Sequence, residues 1–82
     1  MTFQDYLNIT AMLIKEEDIS LNKYSDRIHI YFKTNDISRV SEILDWYDME
    51  AGEPLVNDGT LIFDDCKTLD DKIIHVTVYV KE

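Results

Sequence analysis

Hydrophobic residues at the start of the chain recur every three or four positions, which predicts a helix over residues 2–17. Thr2 can cap this helix, because Asp5 follows three residues later in a capping-box arrangement. Met12 and Ile9 fall outside the apolar face, so we expect the helix to pack on more than one side, with a partner contact as the alternative. The predicted apolar face consists of Phe3, Tyr6, Leu7, Thr10, Ala11 and Ile14.

Two later stretches alternate apolar and polar residues with the period of a β-strand. Residues 27–33 predict a strand that is buried on one face. Lys72–Lys81 predicts a central strand, because both of its faces carry apolar side chains. Residues 19–24 predict a short edge strand. The inward positions are Ile28, Ile30 and Phe32 in the first strand and Ile74, Val76, Val78 and Val80 in the second.

A second helix is predicted after residues 34–36, where Thr, Asn and Asp form a typical helix start. Trp46 falls on the acidic side of this helix, where it either contacts a partner or tucks under the loop that follows. The predicted buried stripe consists of Ile37, Val40, Leu44 and Tyr47, and the opposite side carries Ser38, Glu42 and Asp45.

The segment after this helix contains the strongest turn signal of the chain. Residues 51–54 include Gly and Pro and end the helix. Asn57, Asp58 and Gly59 tolerate positive φ, so they predict a hairpin between residues 55–56 and 60–63. Residues 64–71 predict a polar connection that can hold one helical turn. The element order therefore predicts a single α+β domain over residues 1–82, with a mostly antiparallel sheet of about three to five strands packed by two helices.

Composition agrees with a folded domain and narrows its setting. The chain has 82 residues, of which 45% are hydrophobic, and this is too apolar for charge-driven disorder. The single cysteine, Cys66, cannot form an internal disulfide, which favours the cytoplasm. The first ten residues contain no Lys or Arg, and the apolar runs are far shorter than the ~20 residues of a spanning helix. We therefore expect neither a signal peptide nor a membrane association.

Acidic residues concentrate between Glu42 and Asp71, where ten acids stand against one base, Lys67. The whole chain has a formal net charge of −9, so this window accounts for all of the imbalance. Self-repulsion among these charges destabilises the folded state, and their retention suggests that a partner uses them. Ten carboxylates equal the charge of about five base pairs of DNA. The acids are Glu42, Asp45, Asp48, Glu50, Glu53, Asp58, Asp64, Asp65, Asp70 and Asp71.

Catalytic and metal-binding patterns are weak in this sequence. His29 and His75 lie on different predicted strands and could face each other near Cys66, but they lack the spacing of a metal site. Neither Cys66 nor any serine has the surroundings of a nucleophile, and Gly52 and Gly59 make no phosphate-binding loop. We therefore predict a protein that is not an enzyme, with no metal and no cofactor.

In its length, its clustered acids and its compact α+β pattern, the chain resembles the small acidic phage-encoded inhibitors that imitate DNA. Members of this class inhibit uracil-DNA glycosylase, restriction enzymes, the histone-like protein HU or CRISPR nucleases. The resemblance is one of composition and implies a mechanism. The ten acids would pair with the basic groove of a DNA-binding protein or nuclease, without direct binding of nucleic acid. Trp46, with Tyr47 and Met49, would supply the apolar anchor.

Two other functions fit the same sequence. An antitoxin or immunity-type protein that neutralises a basic toxin or nuclease would need the same acidic surface. A small adaptor could instead form a homodimer through an exposed strand edge such as residues 19–24.

Overall fold

The computed structural model describes residues 2–13, 18–24 and 26–81 of the chain. Two helices and five strands follow one another in the predicted order, which confirms the α+β fold. The elements are α1 (Phe3–Leu13), β1 (Asp18–Lys23), β2 (Arg27–Thr34), α2 (Arg39–Asp45), β3 (Leu55–Asn57), β4 (Thr60–Leu69) and β5 (Lys72–Lys81).

The strands form one sheet in the order β1-β2-β5-β4-β3. Strand β5 is central, as its two apolar faces predicted, and it pairs in parallel with β2. The other three pairings are antiparallel, so the prediction of a mostly antiparallel sheet is confirmed. Strands β1 and β3 lie at the two edges of the sheet.

The hydrophobic core lies between one face of this sheet and the two helices. The predicted inward positions of β2 and β5 are all buried. Tyr6 and Thr10 of α1 and Val40, Ile43 and Leu44 of α2 are buried against them. Neither of the two described helices covers the opposite face, which we call the open face of the sheet.

The first helix differs from its prediction in two respects. Ala11 is exposed although it was placed on the buried face, and Met12 is 76% exposed, so α1 does not pack on that side. Ile9 is half-buried and packs against the core, as expected for packing beyond a single stripe. Residues 14–17, which the predicted helix included, lie outside the described residues.

The second helix begins later than its apolar pattern predicted. Ile37 is 58% exposed, because α2 begins at Arg39 and Ile37 lies in the turn that precedes it. In that turn the Asp36 carboxylate accepts hydrogen bonds from the backbone N–H and the hydroxyl of Ser38. These bonds stabilise the carboxylate, so the pKa of Asp36 is lowered.

The prediction of a polar connection at residues 64–71 is wrong. Strand β4 continues to Leu69 and pairs with β5 along its whole length. Polar residues lie on both sides of this part of the strand, so its alternation is hidden. A two-residue turn, Asp70–Asp71, joins β4 to β5 with φ angles of 52° and 62°. The predicted hairpin is confirmed, since β3 and β4 are joined by Asp58 and Gly59, which also have positive φ.

Candidate protein-binding surface

The ten acids of the charged window do not converge on one face. Asp58 and the pair Asp70–Asp71 occupy turns at opposite ends of β4. Asp64 lies on the open face of the sheet, where its carboxylate is 3.1 Å from Nε2 of His75. Five acids lie on the helix side of the molecule, and we call them together the acidic α2 surface: Glu42, Asp45, Asp48, Glu50 and Asp65.

Helix α2 presents its acids because its other side is buried. Ile43 and Leu44 are almost fully buried, whereas Glu42 and Asp45, which flank them in the chain, point away from the core and are exposed. Arg39 forms an ion pair with Glu42 at 2.6 Å, one helical turn away. Exposed pairs of this kind contribute little to stability, so the position of Glu42 follows from the packing of the helix.

The chain leaves α2 through a Schellman motif that holds the next acids in place. The N–H of Met49 bonds to the carbonyl of Leu44 at 3.0 Å, and the N–H of Asp48 bonds to that of Asp45 at 3.1 Å. Asp48 has a φ of 53°, a left-handed conformation that Asp tolerates better than most residues. Met49 and Leu44 are both buried, as the apolar contact of this motif requires.

Contacts with α1 and β4 fix the loop that follows. The hydroxyl of Tyr6 donates to the carboxylate of Asp48 at 3.1 Å. The Lys67 ammonium donates to the carbonyl of Asp48 at 3.1 Å and lies 3.2 Å from the hydroxyl of Tyr6. The N–H of Glu50 donates to the carboxylate of Asp65 at 3.2 Å. Asp48, Glu50 and Asp65 are therefore brought together although they are up to 17 positions apart in the chain.

The predicted apolar anchor needs correction. Tyr47 and Met49 are buried in the core, at 0% and 3% exposure, so they cannot contact a partner. Trp46 is half-buried. Its ring centroid lies 6.2 Å from the ring centroid of Phe32 and 5.4 Å from the guanidinium carbon of Arg39. The ring thus packs at the end of α2 and leaves only part of its surface beside the acids.

Leu55 and Val56 are large apolar side chains that are exposed next to Glu53 and Asp58, at 68% and 72%. They form strand β3 at the edge of the sheet, between the exposed acids Glu53 and Asp58. The hairpin signal located both residues in the sequence. Their exposure depends on β3 being a short edge strand, which only the sheet order reveals.

Four of the ten acids also have a structural reason for their identity. Asp48, Asp58, Asp70 and Asp71 adopt positive φ, where Asp, Asn and Gly are favoured over other residues. Part of the acidity of the window therefore follows from turn geometry. The remaining acids owe their positions to no such constraint.

On the open face, His29, His75 and Cys66 occupy neighbouring strands in one row, so the predicted proximity of the two histidines is confirmed. The imidazole nitrogens of His29 lie 2.8 Å from the Thr77 hydroxyl and 2.9 Å from the Tyr31 hydroxyl. Both nitrogens thus have protein partners. Within residues 2–13, 18–24 and 26–81, no group of three or more His, Cys, Asp or Glu side chains is placed to hold a metal ion.

In comparisons with known proteins, no family model, no curated protein and no solved structure matches this chain. The helices in the described part of the chain are all too short or too polar to cross a membrane.

Proposed function

We propose that this protein is an acidic inhibitor that binds the basic nucleic-acid-binding surface of another protein and excludes DNA by competition. The inhibitor is of the kind that phages encode, and it acts in the cytoplasm of a bacterial host. The acids of the acidic α2 surface stand in for phosphates and pair with Lys and Arg of the partner.

The observation that carries the proposal is the support beneath the acidic α2 surface. Its carboxylates project from α2, from the capped loop and from β4, and the neighbouring side chains Leu44, Tyr47 and Met49 are buried in the core. Because the acids are held on a packed scaffold, little conformational entropy is lost when they bind. A charged segment that served only solubility would not need this support.

The charge distribution also favours a basic partner. Of the bases, Arg27, Lys33 and Lys81 occupy open-face positions of β2 and β5, away from α2. Lys67 is the base within the acidic window, and its ammonium is engaged by Asp48 and Tyr6. Arg39 and Lys67 offset two of the five charges of the acidic α2 surface, and the remaining net charge of −3 accelerates association with a basic surface and makes it sensitive to salt.

A pull-down with matched variants tests this function. The bait is the full chain, immobilised and exposed to bacterial lysate, washed with increasing salt and then with duplex DNA. One variant carries Asp45→Asn and Glu50→Gln, and its control carries Asp70→Asn and Asp71→Asn. Each removes two negative charges, and Asn keeps the positive φ of the turn in the control.

We expect the wild type and the control to retain one DNA-binding protein that duplex DNA displaces. The Asp45/Glu50 variant should bind it about tenfold more weakly, mainly through slower association. Equal losses in both variants would show that only net charge matters and would contradict the proposal. A basic enzyme that is retained but not displaced by DNA would favour a neutralised toxin instead.

A further inference from the structure

The two edges of the sheet differ in their protection against pairing with another chain. The exposed side chains described on β1 are polar, namely Ser20, Asn22 and Lys23, and a charged edge discourages strand addition. Strand β3 instead exposes Leu55 on one face of the sheet and Val56 on the other. Among the described residues, β3 is thus the edge that exposes large apolar side chains.

The backbone of β3 offers hydrogen-bonding groups to such a strand. Asn57 and Thr60 flank the two-residue turn, and a pair in this position exchanges both of its hydrogen bonds within the hairpin. Because pairs alternate along the ladder, Leu55 also points its backbone groups toward β4, and Val56 points its N–H and carbonyl outward. Pro54 has no N–H, so the usable edge is short.

Charge selects the incoming strand. Glu53 precedes β3 and Asp58 follows it, and both are exposed. A second copy that paired antiparallel at Val56 would place its own Asp58 opposite Pro54, one position from Glu53, at each end of the pairing, and like charges held so close are unfavourable. A basic segment would instead place Lys or Arg beside an acid at each end.

We infer that β3 is a docking edge for an extended, basic segment of a partner protein. The partner pairs its backbone with Val56, covers the side chains of Leu55 and Val56, and places its cations beside Glu53 and Asp58. The inference deepens the proposed function and rests on it only for the charge of the partner. Leu55 and Val56 would supply the exposed apolar anchor that Tyr47 and Met49, which are buried, cannot supply.

A synthetic peptide tests the edge without knowledge of the natural partner. The probe is a peptide of six residues in all, with a lysine at each end and alternating valine and threonine between them. It is titrated into the full-length isotope-labelled protein. Two control peptides are used: one is methylated at alternate backbone nitrogens, and the other has glutamates in place of the lysines. The readouts are NMR shifts and the hydrogen-exchange rate of the Val56 amide.

We expect the lysine peptide to shift residues 53–58 and to slow exchange at Val56, and both control peptides to bind at least about tenfold more weakly. Val56→Pro removes the outward N–H and should weaken binding by a similar factor, since proline is tolerated on an outer edge. Val56→Thr keeps the backbone donor and should retain the protection of that amide. Unchanged exchange at the Ile62 amide, which faces Leu55 in the β3–β4 pairing, shows in each variant that the hairpin is intact.

Three results would overturn the inference. The methylated peptide could bind as well as the parent, the shifts could spread over the acidic α2 surface without protection of Val56, or Val56 could be protected by self-association before peptide is added. Failure of the proposed function is separate, because it is measured by displacement with duplex DNA. A peptide that docks on β3 in a protein whose captured partner ignores DNA would leave the docking edge standing and remove DNA competition.

Discussion

The imidazole rings of His29 and His75 lie face to face on the open face of the sheet, with centroids 4.0 Å apart and planes inclined by 9°. Parallel pairing of β2 with β5 places the two residues directly side by side. The ring of Tyr31, two positions further along β2, also stacks on His29, with the ring centroids 4.0 Å apart. Burial and the nearby charge of His75 lower the pKa of His29, with Arg27 adding to the shift and Asp64 opposing it.

This stack predicts a loss of stability in mild acid. Because the folded state holds the pKa of His29 below its ordinary value near 6.5, the unfolded chain binds the proton more readily. The stabilisation is present above that ordinary value and falls as the pH falls through it. Urea denaturation between about pH 7.5 and pH 5.5 should show a decreasing midpoint, well above the range in which ordinary carboxylates titrate. His29→Gln should flatten the dependence of the urea midpoint on pH, and an unchanged slope in this variant would show that His29 does not cause it.

Tyr47 and Thr10 predict an asymmetric pair of substitutions. The Thr10 hydroxyl donates to the carbonyl of Tyr6 at 2.9 Å, so the Tyr47 hydroxyl, 2.8 Å away, donates to Thr10. Tyr47→Phe removes the donor and should lower the free energy of unfolding by about 1 kcal/mol. Thr10→Val leaves the buried Tyr47 hydroxyl without its acceptor and should cost more, about 1–3 kcal/mol.

A double-mutant cycle measures this asymmetry by urea denaturation. In the Tyr47→Phe background, Thr10→Val should cost less than in the wild type, because no donor is left unpaired. Equal costs in both backgrounds would show that the two hydroxyl groups do not interact.

The Asp70–Asp71 turn predicts a stabilising substitution. Both residues have positive φ, as the two central residues of a type I′ turn require, and Gly adopts this conformation without steric cost. Asp70→Asn with Asp71→Gly should raise the free energy of unfolding by about 0.5–1 kcal/mol and also relieve charge repulsion. Asp71→Val should lower it by about 1–2 kcal/mol. Thermal denaturation of both variants tests this, and a neutral effect of valine would contradict the assigned turn.

The sequence predicted those elements whose burial is one-sided or complete. Strands β2 and β5 were recognisable because Ile28, Ile30 and Phe32, and Val76 and Val78, keep their period against a continuous core. The second half of β4 was not recognisable, because Asp64 and Asp65 are both polar although they point to opposite faces. The Asp70–Asp71 turn lacks the Gly that marked Asp58–Gly59, so its hairpin was also missed.

The acidic surface was predictable only in part, because proximity in the chain is not proximity in space. Strand β4 has ten residues and so separates Asp58 from Asp70 by roughly 30 Å. The contact between Glu50 and Asp65 depends on the α2–β3 loop crossing β4, which no local pattern records. The burial of Tyr47 likewise depends on α1, whose Thr10 it contacts.

The fluorescence of Trp46 should distinguish a partner bound to the acidic α2 surface from a partner bound to the β3 edge. Trp46 is the only tryptophan of the chain, it is half-buried beside Asp45, and its ring contacts the Arg39 guanidinium. A partner that pairs with Glu42 and Asp45 competes for the Arg39–Glu42 ion pair and changes the surroundings of the ring. Such a partner should therefore shift the tryptophan emission, and the shift should diminish as salt screens the acids.

A peptide that docks only on β3 should leave this emission unchanged, because Leu55 and Val56 lie on the far edge of the sheet from β2, whose Phe32 packs against Trp46. Trp46→Phe should remain folded, since an aromatic ring still packs there, and serves as the blank for the measurement. An emission change with the β3 peptide that persists in high salt would show that the two surfaces are coupled. Such coupling would contradict the assignment of the acidic α2 surface and the β3 edge as two separate contacts.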